Sequence, residues 1–379
     1  MISIRIASFL MALSLGLASA RADALDAWTM ETSGVSENLF GVVRGAGNFV
    51  AVGHSGVVLV SSNGSFWSPV SSAVSSNLLG VTYANGIFVS VGAGGVICRS
   101  TNGLNWTRSS SPTTQTLNGV GFGNGIFIAA GNIGTLLTSP DGVTWTTRLS
   151  YTAENLMGAA YGNGLFMAVG RDNSDPGSVI TSLDGVMWTD RSYPQLGVAF
   201  YAVAYGAGQF VAMDARGVAY TSATGTNWSR RSTANGAYMF GATYAQGLFV
   251  GAGGSFSGTS QAITTSADGF TWRLRSVNVT NSAALRAVAY GNGYFVAVGD
   301  KGLVLRSGPA FTLRSAVANG GNVEVSLAGE QGRVYRIQEN TNFAAGWQDW
   351  LTITNTSELM PFIVSVIPGS PRLYRAVTP

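Results

Sequence analysis

The chain has 379 residues, of which only 10% are charged and 51 are glycine. This length can hold two or three ordinary domains or one large repeat domain with an appendage, and so few charges exclude a disordered chain. The formal net charge of +3 comes from 21 Lys and Arg against 18 Asp and Glu, without a basic run or stripe. We therefore expect no nucleic-acid partner.

Residues 1–22 have the pattern of a secretory signal peptide. Arg5 supplies the positive n-region, Ile6 to Leu17 the apolar core, and Ala18-Ser19-Ala20 a cleavage signal, with a second candidate site two residues later. The apolar core is too short to span a bilayer. We expect a mature protein without a transmembrane segment that is secreted, periplasmic or attached to the cell surface.

Cys98 is the only cysteine and His54 the only histidine. An intrachain disulfide is therefore impossible, and a zinc site built from His and Cys is excluded. We expect Cys98 to be a small buried strand residue. His54 lies in a short turn without a G-x-S-x-G motif, which argues against a Ser-His-Asp hydrolase. The sequence thus indicates no catalytic residue, no metal and no cofactor.

Aromatic landmarks divide most of the chain into similar units. They fall at Trp28, Trp67, Trp106, Trp145, Trp188, Trp228, Trp272 and Phe311. Their spacings are 39, 39, 39, 43, 40, 44 and 39 residues, so eight landmarks enclose seven units. Units of ~40 residues match the four-stranded blades of a β-propeller. The sequence predicts an all-β protein with a seven-bladed β-propeller over residues 23–310.

The third unit shows the expected blade most clearly. We label its strands outward from the axis: a over 117–122, b over 126–131, c over 135–139 and d over 145–149. Asn124-Gly125 predicts a two-residue hairpin between a and b. Strand b is an apolar run, which indicates that neighbouring blades cover both of its faces. One Arg in each of four d strands is expected to guard the exposed outer edge: Arg148, Arg191, Arg231 and Arg275.

Six units enter strand d through a turn of the form Ser-x-[Asp/Asn]-Gly-x-x-Trp, in which the fifth unit has Thr224 at the acidic position. The predicted structural residues are Asn63, Asn102, Asp141, Asp184, Asp268, Trp67, Trp106, Trp145, Trp188, Trp228 and Trp272. The Asp or Asn oxygen can accept backbone N–H groups within the turn. The Trp is expected to pack between adjacent blades.

These turns resemble the Asp-box, or bacterial neuraminidase repeat, of sialidases, sortilin-type receptors and photosystem II assembly propellers. The resemblance covers about residues 28–310. The usual box has one more residue between Asp and Trp, and two of the six boxes here carry Asn. The resemblance implies a propeller in which the box is a structural turn far from the ligand.

Ring closure has two candidate strands. Eight d-like strands compete for seven places, because both the Trp28 strand and the Phe311 strand could complete the last blade. We expect the N-terminal strand at Trp28 to close the ring with the blade built from residues 285–307.

The loops that join the strands fall on two faces. The a–b and c–d turns are nearly invariant, whereas the b–c and d–a loops vary and hold the two enlargements, Gly170–Ser178 and Gly253–Ala262. Insertions on one face of a repeat array commonly mark the binding side, although tolerated surface drift would also produce them. The candidate ligand-binding residues on that face are Arg171, Asp172, Asn173, Asp175, Tyr193, Tyr201, Asp214, Arg216, Tyr238 and Arg286.

Tyr, Asn and Arg with few aliphatic residues suit a sugar or a polar peptide segment. The main hypothesis is therefore a monomeric, non-catalytic binding module for a glycan or protein ligand. The Asp172–Asp175 loop could alternatively hold Ca²⁺ through its oxygen atoms.

Two other functions remain open. A sialidase-like glycoside hydrolase would need Arg171, Arg216 and Arg286 to converge beside an acid such as Asp172 or Asp214. The Arg-Ile-Pro signature of sialidases is absent, however, and Glu154 is the one Glu of the central blades. The other function is an envelope assembly factor or scaffold, although the scattered Arg residues form no evident basic patch.

Residues 311–379 follow a different pattern, since the 40-residue period stops near Gly308. About six short strands, including Val323–Leu327 and Val334–Glu339, predict a small β-sandwich. The run GRVYRIQENTNFAAGWQDW with the closing RLYRAV is similar to a C-terminal appendage of exported multidomain bacterial proteins of the Verrucomicrobia type, which implies an attachment or spacer module. Trp347 and Trp350 could stack on a glycan, but we expect them to pack in the core.

Overall fold

The computed structural model describes residues 25, 28–171, 177–192, 198–233, 236–255, 257–277, 279, 282–308, 312–319, 322–328, 334–340, 348–354, 359–365 and 373–377. The predictions for residues 1–22, Phe311 and Trp347 lie outside this part. The chain divides into two units, of which one contains Trp28–Tyr290 and Val296–Arg306 and the other contains Ser307–Pro379. No helix in the described part has the length and apolar character that a membrane crossing requires.

Seven four-stranded antiparallel sheets form the predicted seven-bladed β-propeller. The a strands are Leu39–Gly45, Leu78–Ala84, Leu117–Gly123, Asn155–Gly162, Phe200–Gly206, Tyr238–Ala245 and Leu285–Gly291. The b strands are Asn48–Gly53, Ile87–Gly92, Ile126–Gly131, Leu165–Arg171, Gln209–Asp214, Leu248–Gly254 and Tyr294–Gly299. Because the a strands of neighbouring blades contact one another, they form the inner wall of the ring.

The outer half of each blade has shorter strands, of which the c strands are buried and the d strands are mostly exposed. The c strands are Val58–Ser61, Ile97–Ser100, Leu136–Ser139, Val179–Ser182, Val218–Ser222, Gln261–Ser266 and Val304–Ser307. The d strands are Ser68–Val70, Thr107–Ser109, Thr146–Arg148, Thr189–Asp190, Ser229–Ser232, Arg273–Arg275 and, in blade 7, Trp28–Glu31. The four strands predicted for the third unit are confirmed to within two residues at each end.

The N-terminal strand closes the ring, as predicted. It pairs with strand c of blade 7, and the Thr29 hydroxyl donates to the Arg306 carbonyl at 3.2 Å. The Arg306 guanidinium contacts the Glu31 carboxylate at 3.0 Å. On the other side of the junction, the Lys301 N–H donates to Asn38 Oδ1 of blade 1 at 2.9 Å. The outermost strand of blade 7 thus comes from the N-terminal side of blade 1, and the Lys301–Asn38 hydrogen bond links the loops of the two blades.

The antiparallel order places the a–b and c–d turns at one end of each sheet and the b–c and d–a loops at the other. We call these ends the turn face and the loop face. The a–b hairpins have two consecutive residues with positive φ, such as Asn124 at 44° and Gly125 at 78°. This conformation is the one that two-residue hairpins with a right-handed strand twist require, so the Asn-Gly prediction is confirmed.

Apolar side chains fill the space between successive blades. Trp106 of blade 2 packs with Phe88 and Cys98 of its own blade and with Val50 and Val52 of blade 1. The other clusters repeat this arrangement, which confirms that box Trp residues pack between blades. Burial raises the pKa of the Cys98 thiol to about 11, as expected for a buried strand residue.

The box turns are held by a repeated set of hydrogen bonds. In blade 3 the Asp141 Oδ1 accepts the N–H groups of Val143 and Thr144, both at 2.8 Å. The Trp145 indole donates to the Gly142 carbonyl at 3.2 Å. Blades 1, 2, 4 and 6 have the same bonds. In blade 5, where Thr224 replaces the acid, the buried Trp228 Nε1 has no hydrogen-bond partner.

Two structural predictions need correction. Of the four d-strand arginines, only Arg191 is exposed, whereas the Nε atoms of Arg148 and Arg275 each donate inward to a strand-c threonine hydroxyl at 2.8 Å. These residues therefore clamp strands c and d together. The predicted enlarged loop Gly253–Ala262 is also shorter, because its first and last two residues pair as an extension of strands b and c.

The C-terminal unit contains six strands in two antiparallel sheets. One sheet contains Thr312–Asn319, Asn322–Ala328 and Leu359–Ser365, and the other contains Gln348–Thr354, Val334–Asn340 and Leu373–Val377. Two three-stranded sheets are what a small β-sandwich requires. Tyr335 and Ile337 are fully buried, whereas Trp350 is 37% exposed. The prediction of core packing is therefore wrong for Trp350, which lies at the surface of its sheet.

Candidate functional site

A β-bulge occurs near the start of each a strand whose pairing is described. The register shifts by one residue and leaves one strand-a residue unpaired: Phe40, Leu79, Asn118, Met157, Tyr201 and Phe240 in blades 1 to 6. Arg286 occupies the equivalent position in blade 7. All seven side chains are half-buried. Because a bulge redirects a side chain, the bulges place a ring of seven side chains at the loop-face end of the inner wall.

Two of the predicted site residues meet between blades 4 and 5. Arg171 ends strand b of blade 4, and its Nη1 donates to the Tyr201 hydroxyl at 3.1 Å. The Arg171 guanidinium carbon also lies 5.3 Å from the centre of the Tyr201 ring. This distance permits a cation–π interaction. Tyr201, the bulge residue of blade 5, therefore contacts the Arg171 guanidinium on one side.

Phe240 extends this contact across blades 6 and 7. The Tyr201 and Phe240 ring centres lie 5.3 Å apart and nearly perpendicular, an arrangement that aromatic pairs favour. Tyr238 stacks on Phe240 with centres 6.0 Å apart. The Arg286 guanidinium lies 4.3 Å from the Phe240 ring centre. We call these five residues, Arg171, Tyr201, Tyr238, Phe240 and Arg286, the aromatic–arginine arc.

The two arginines of the arc differ in their charge partners. Arg286 Nε and Nη2 donate to the Asp300 carboxylate at 2.8 and 2.7 Å, and Asp300 is buried. A bidentate pair of this kind fixes the guanidinium plane over Phe240. Arg171 has no carboxylate partner among the described residues, and its Nε is buried without a hydrogen-bond partner. The arc therefore presents aromatic faces and cationic groups together.

The rest of the ring is less polar. Phe40, Leu79 and Met157 occupy the bulge positions of blades 1, 2 and 4. The Asn118 amide of blade 3 is already used, because it donates to Asn132 Oδ1 at 2.8 Å and to the Leu156 carbonyl at 2.9 Å. The arc thus occupies blades 4 to 7, whereas the bulge positions of blades 1, 2 and 4 are apolar.

Four of the predicted ligand-binding residues, Arg171, Tyr201, Tyr238 and Arg286, are brought together in the arc. Asp214 and Arg216 form a pair of their own in a b–c turn of blade 5. The buried Asp214 Oδ1 accepts the N–H groups of Arg216 and Val218 at 2.7 and 2.8 Å, and its Oδ2 lies 3.5 Å from Arg216 Nε. Asp214 therefore has the bonding of a turn-stabilising residue.

Asp172, Asn173, Asp175 and Tyr193 lie outside the described residues. The Ca²⁺ alternative depends on the first three and stays a prediction. Within the described part of the chain, no three His, Cys, Asp or Glu side chains are grouped closely enough to hold a metal ion.

Sequence reasoning missed Phe240 and Asp300. Phe240 directly precedes the small residue Gly241, just as Tyr201 precedes Ala202 and Arg286 precedes Ala287. Alignment of the seven a strands at that small residue would have identified the whole ring. Asp300 directly follows strand b of blade 7 and corresponds in position to Ala215 of blade 5, so the repeat gives no acidic counterpart for it.

The chain is similar in fold to YCF48. A structure of YCF48 from Cyanidioschyzon merolae matches with 16% identity and a TM-score of 0.58, covering 74% of this chain and 98% of that chain. A structure of YCF48 bound to D1 peptide matches with 16% identity and a TM-score of 0.59, covering 74% and 96%. The WD40 β-propeller domain of Doa1 matches with 12% identity and a TM-score of 0.57, covering 74% and 95%.

At these identities the similarity concerns the fold. No protein-family model matches the chain, and no curated protein matches it significantly.

Proposed function

We propose that this chain is a non-catalytic binding module that holds a segment of a partner protein against the aromatic–arginine arc. The observation that carries the proposal is the contiguity of the arc, in which Tyr201, Phe240 and Arg286 touch in series across three blades. Large aromatic and Arg side chains provide most of the binding energy in protein interfaces. Their half-buried positions on rigid strands would make the surface preorganised.

A protein ligand is favoured over a glycan by the comparison with YCF48 bound to D1 peptide. A role in assembling an envelope complex is a variant of the same proposal, since an assembly factor also acts by binding a protein segment. We also propose that the chain is an Asp-box propeller, which is supported by five described turns whose Asp or Asn oxygen accepts two N–H groups. Residues 1–22 support export, and the C-terminal unit would then serve as an attachment or spacer module.

The decisive experiment compares ligand classes on the mature protein, residues 23–379. Arrays of random dodecapeptides and of glycans are probed in parallel, together with a fluorogenic sialoside. We expect binding to a subset of peptides and no sialoside turnover. Phe240→Ala should weaken peptide binding at least tenfold, because it removes the ring that Tyr201, Tyr238 and Arg286 contact.

Phe270→Ala is the matched control, because Phe270 is an exposed phenylalanine on the turn face. Arg286→Ala is a weaker test, since it would leave the buried Asp300 carboxylate without its bidentate partner. If the protein binds glycans and Phe240→Ala abolishes that binding, the ligand of the arc is a sugar rather than a protein segment. Sialoside turnover that Arg286→Ala abolishes, in a variant that still folds, would replace the proposal by the hydrolase.

A further inference from the structure

Three large apolar side chains are exposed around one groove on the loop face of blade 3. Ile133 in the b–c loop is 63% exposed, and Leu149 and Tyr151 in the following d–a loop are 71% and 64% exposed. Scattered apolar side chains are ordinary on protein surfaces, but grouped ones mark interaction sites. All three residues lie well within the described part of the chain.

The repeat itself shows that folding does not require these residues. At the equivalent positions, 39 residues earlier, blade 2 has Gly94, Ser110 and Pro112. Blade 1 has Ser55, Ser71 and Ala73, a further 39 residues earlier. The three blades have the same strand pairing. Only blade 3 of these three places large apolar groups at all three positions.

The backbone conformation also disfavours two of the three side chains. Ile133 has φ of 52° and Tyr151 has φ of 58°, in the left-handed region. A β-branched residue is rare there. At the Ile133 position φ is also positive in the other two blades, 54° at Ser55 and 68° at Gly94, so there the conformation belongs to the loop rather than to its side chain. At the Tyr151 position blade 1 has Ala73 with φ of 64°, whereas blade 2 has Pro112, whose ring fixes a negative φ. Strained, exposed apolar residues without a packing role indicate a functional site.

The groove beside these residues has a volume of about 500 Å³. It is lined by the segments 112–113, 133–136 and 147–153, and Arg148 is its one charged lining residue. Arg148 Nε donates to the Thr138 hydroxyl at 2.8 Å, which fixes the guanidinium at the groove wall. A groove of this size accommodates a large side chain with its adjoining backbone.

We propose that the blade 3 groove binds an extended segment of a partner protein that inserts an aromatic side chain between Ile133, Leu149 and Tyr151 and places a carboxylate beside Arg148. The apolar rim favours the inserted aromatic ring. Arg148, the one charged residue of the lining, favours an acidic residue next to that ring. The groove shares no residue with the aromatic–arginine arc. It is a separate site, and its proposal does not depend on the arc.

The test uses the mature protein and three blocked, fluorescein-labelled hexapeptides. The probe is Gly-Ser-Asp-Phe-Ser-Gly, and the two comparison peptides replace its Phe by Ser or its Asp by Lys. Affinity is measured by fluorescence anisotropy, and contact is located from the Ile133 δ1-methyl resonance, assigned with Ile133→Gly. We expect the probe to bind at least tenfold more tightly than either comparison peptide and to shift this resonance.

The matched variant is Ile133→Gly, Leu149→Ser and Tyr151→Ala combined, which introduces residues found at these positions in blades 1 and 2. It should lose at least tenfold in probe affinity while its thermal midpoint stays equal or rises, because a left-handed Ile is replaced by Gly. Phe240→Ala should bind the probe like the parent protein, which separates this site from the arc. Undiminished binding by the variant, equal binding of the three peptides, or no shift of the Ile133 methyl at millimolar probe would overturn the proposal.

Discussion

At the residue scale, the box carboxylates make the stability of the folded protein depend on pH. Backbone N–H groups of Thr144 and Val143 lower the pKa of Asp141, those of Met187 and Val186 lower the pKa of Asp184, and that of Thr271 contributes most to lowering the pKa of Asp268. A lowered folded-state pKa means that the ionised form is stabilised by folding. The stabilisation is therefore complete above the unfolded-state pKa, near ~4, and is lost as the pH falls through the folded-state value.

The first two boxes provide a natural comparison, because Asn63 and Asn102 accept the same bonds without a charge. We predict that the triple variant Asp141→Asn, Asp184→Asn and Asp268→Asn has a slightly lower thermal midpoint at pH 7, since charge-assisted bonds are stronger. The difference from the parent should shrink between pH 4 and pH 2.5. Thermal melts across that range measure it.

The reverse substitution Asn63→Asp is the control for this effect. It should add acid sensitivity to a box that lacks it, and so steepen the fall of the thermal midpoint below ~pH 4. Parallel curves for the parent and the triple variant would show that these carboxylates make no pH-dependent contribution.

At the element scale, neighbouring a strands interlock through a glycine and a tyrosine. A Cβ built on Gly162 would lie 1.9 Å from Tyr205 Cγ of the next blade, and Gly45, Gly123 and Gly206 meet a tyrosine of the next blade in the same way. The tyrosine ring of one blade thus occupies the space that the glycine of the previous blade leaves free. This contact fixes how closely the inner strands approach.

Gly162→Ala should therefore destabilise the propeller by about 1–3 kcal/mol, the usual cost of overpacking a fitted contact. Gly158→Ala on the same strand is the matched control, because its Cβ would meet Ala202 at 3.5 Å, an ordinary contact. Urea unfolding of both variants measures the difference in free energy of unfolding. Equal free energies of unfolding for the two variants would mean that the glycine–tyrosine contact does not limit how closely the inner strands approach.

The elements that the sequence predicted correctly are those whose signals are local and repeated. Each hairpin depends on two adjacent residues with positive φ, and each box depends on a turn of a few residues, so seven copies of the hairpin and six of the box identify them reliably. Phe240 was missed because an apolar residue in an apolar strand is normally interpreted as a core residue. Its role arises from the bulge, which shifts the side-chain alternation by one residue and is invisible in a single strand.

The blade 3 groove was missed for a different reason. Its residues are separated by 16 positions in sequence, from Ile133 to Leu149, and meet only because the b–c and d–a loops adjoin on one face. The arginines of strand d were misplaced because cross-strand bonding to Thr138 and Thr265 depends on register. Contacts that combine separate loops or depend on register are set by the folded sheet.

At the scale of the whole molecule, the ring depends on the N-terminal strand. Trp28–Glu31 is the outermost strand of blade 7, the blade built otherwise from residues 285–307, so closure joins the two ends of the propeller sequence. Trp28 is buried and takes the place that a box Trp has in other blades. A ring closed in this way cannot lose the strand without exposing the edge of strand c.

We predict that Trp28→Ala lowers the free energy of unfolding by about 3–5 kcal/mol, the usual cost of truncating a buried Trp. Trp350→Ala, at a site 37% exposed in the C-terminal unit, should cost much less. A second test exchanges charges: Glu31→Arg should destabilise through repulsion from Arg306, and adding Arg306→Glu should restore the lost stability. Because that ion pair is partly exposed, its contribution to the free energy of unfolding is below about 1 kcal/mol. An unchanged midpoint in Trp28→Ala, with a large loss in Phe311→Ala, would show that the chain closes its ring from the other end.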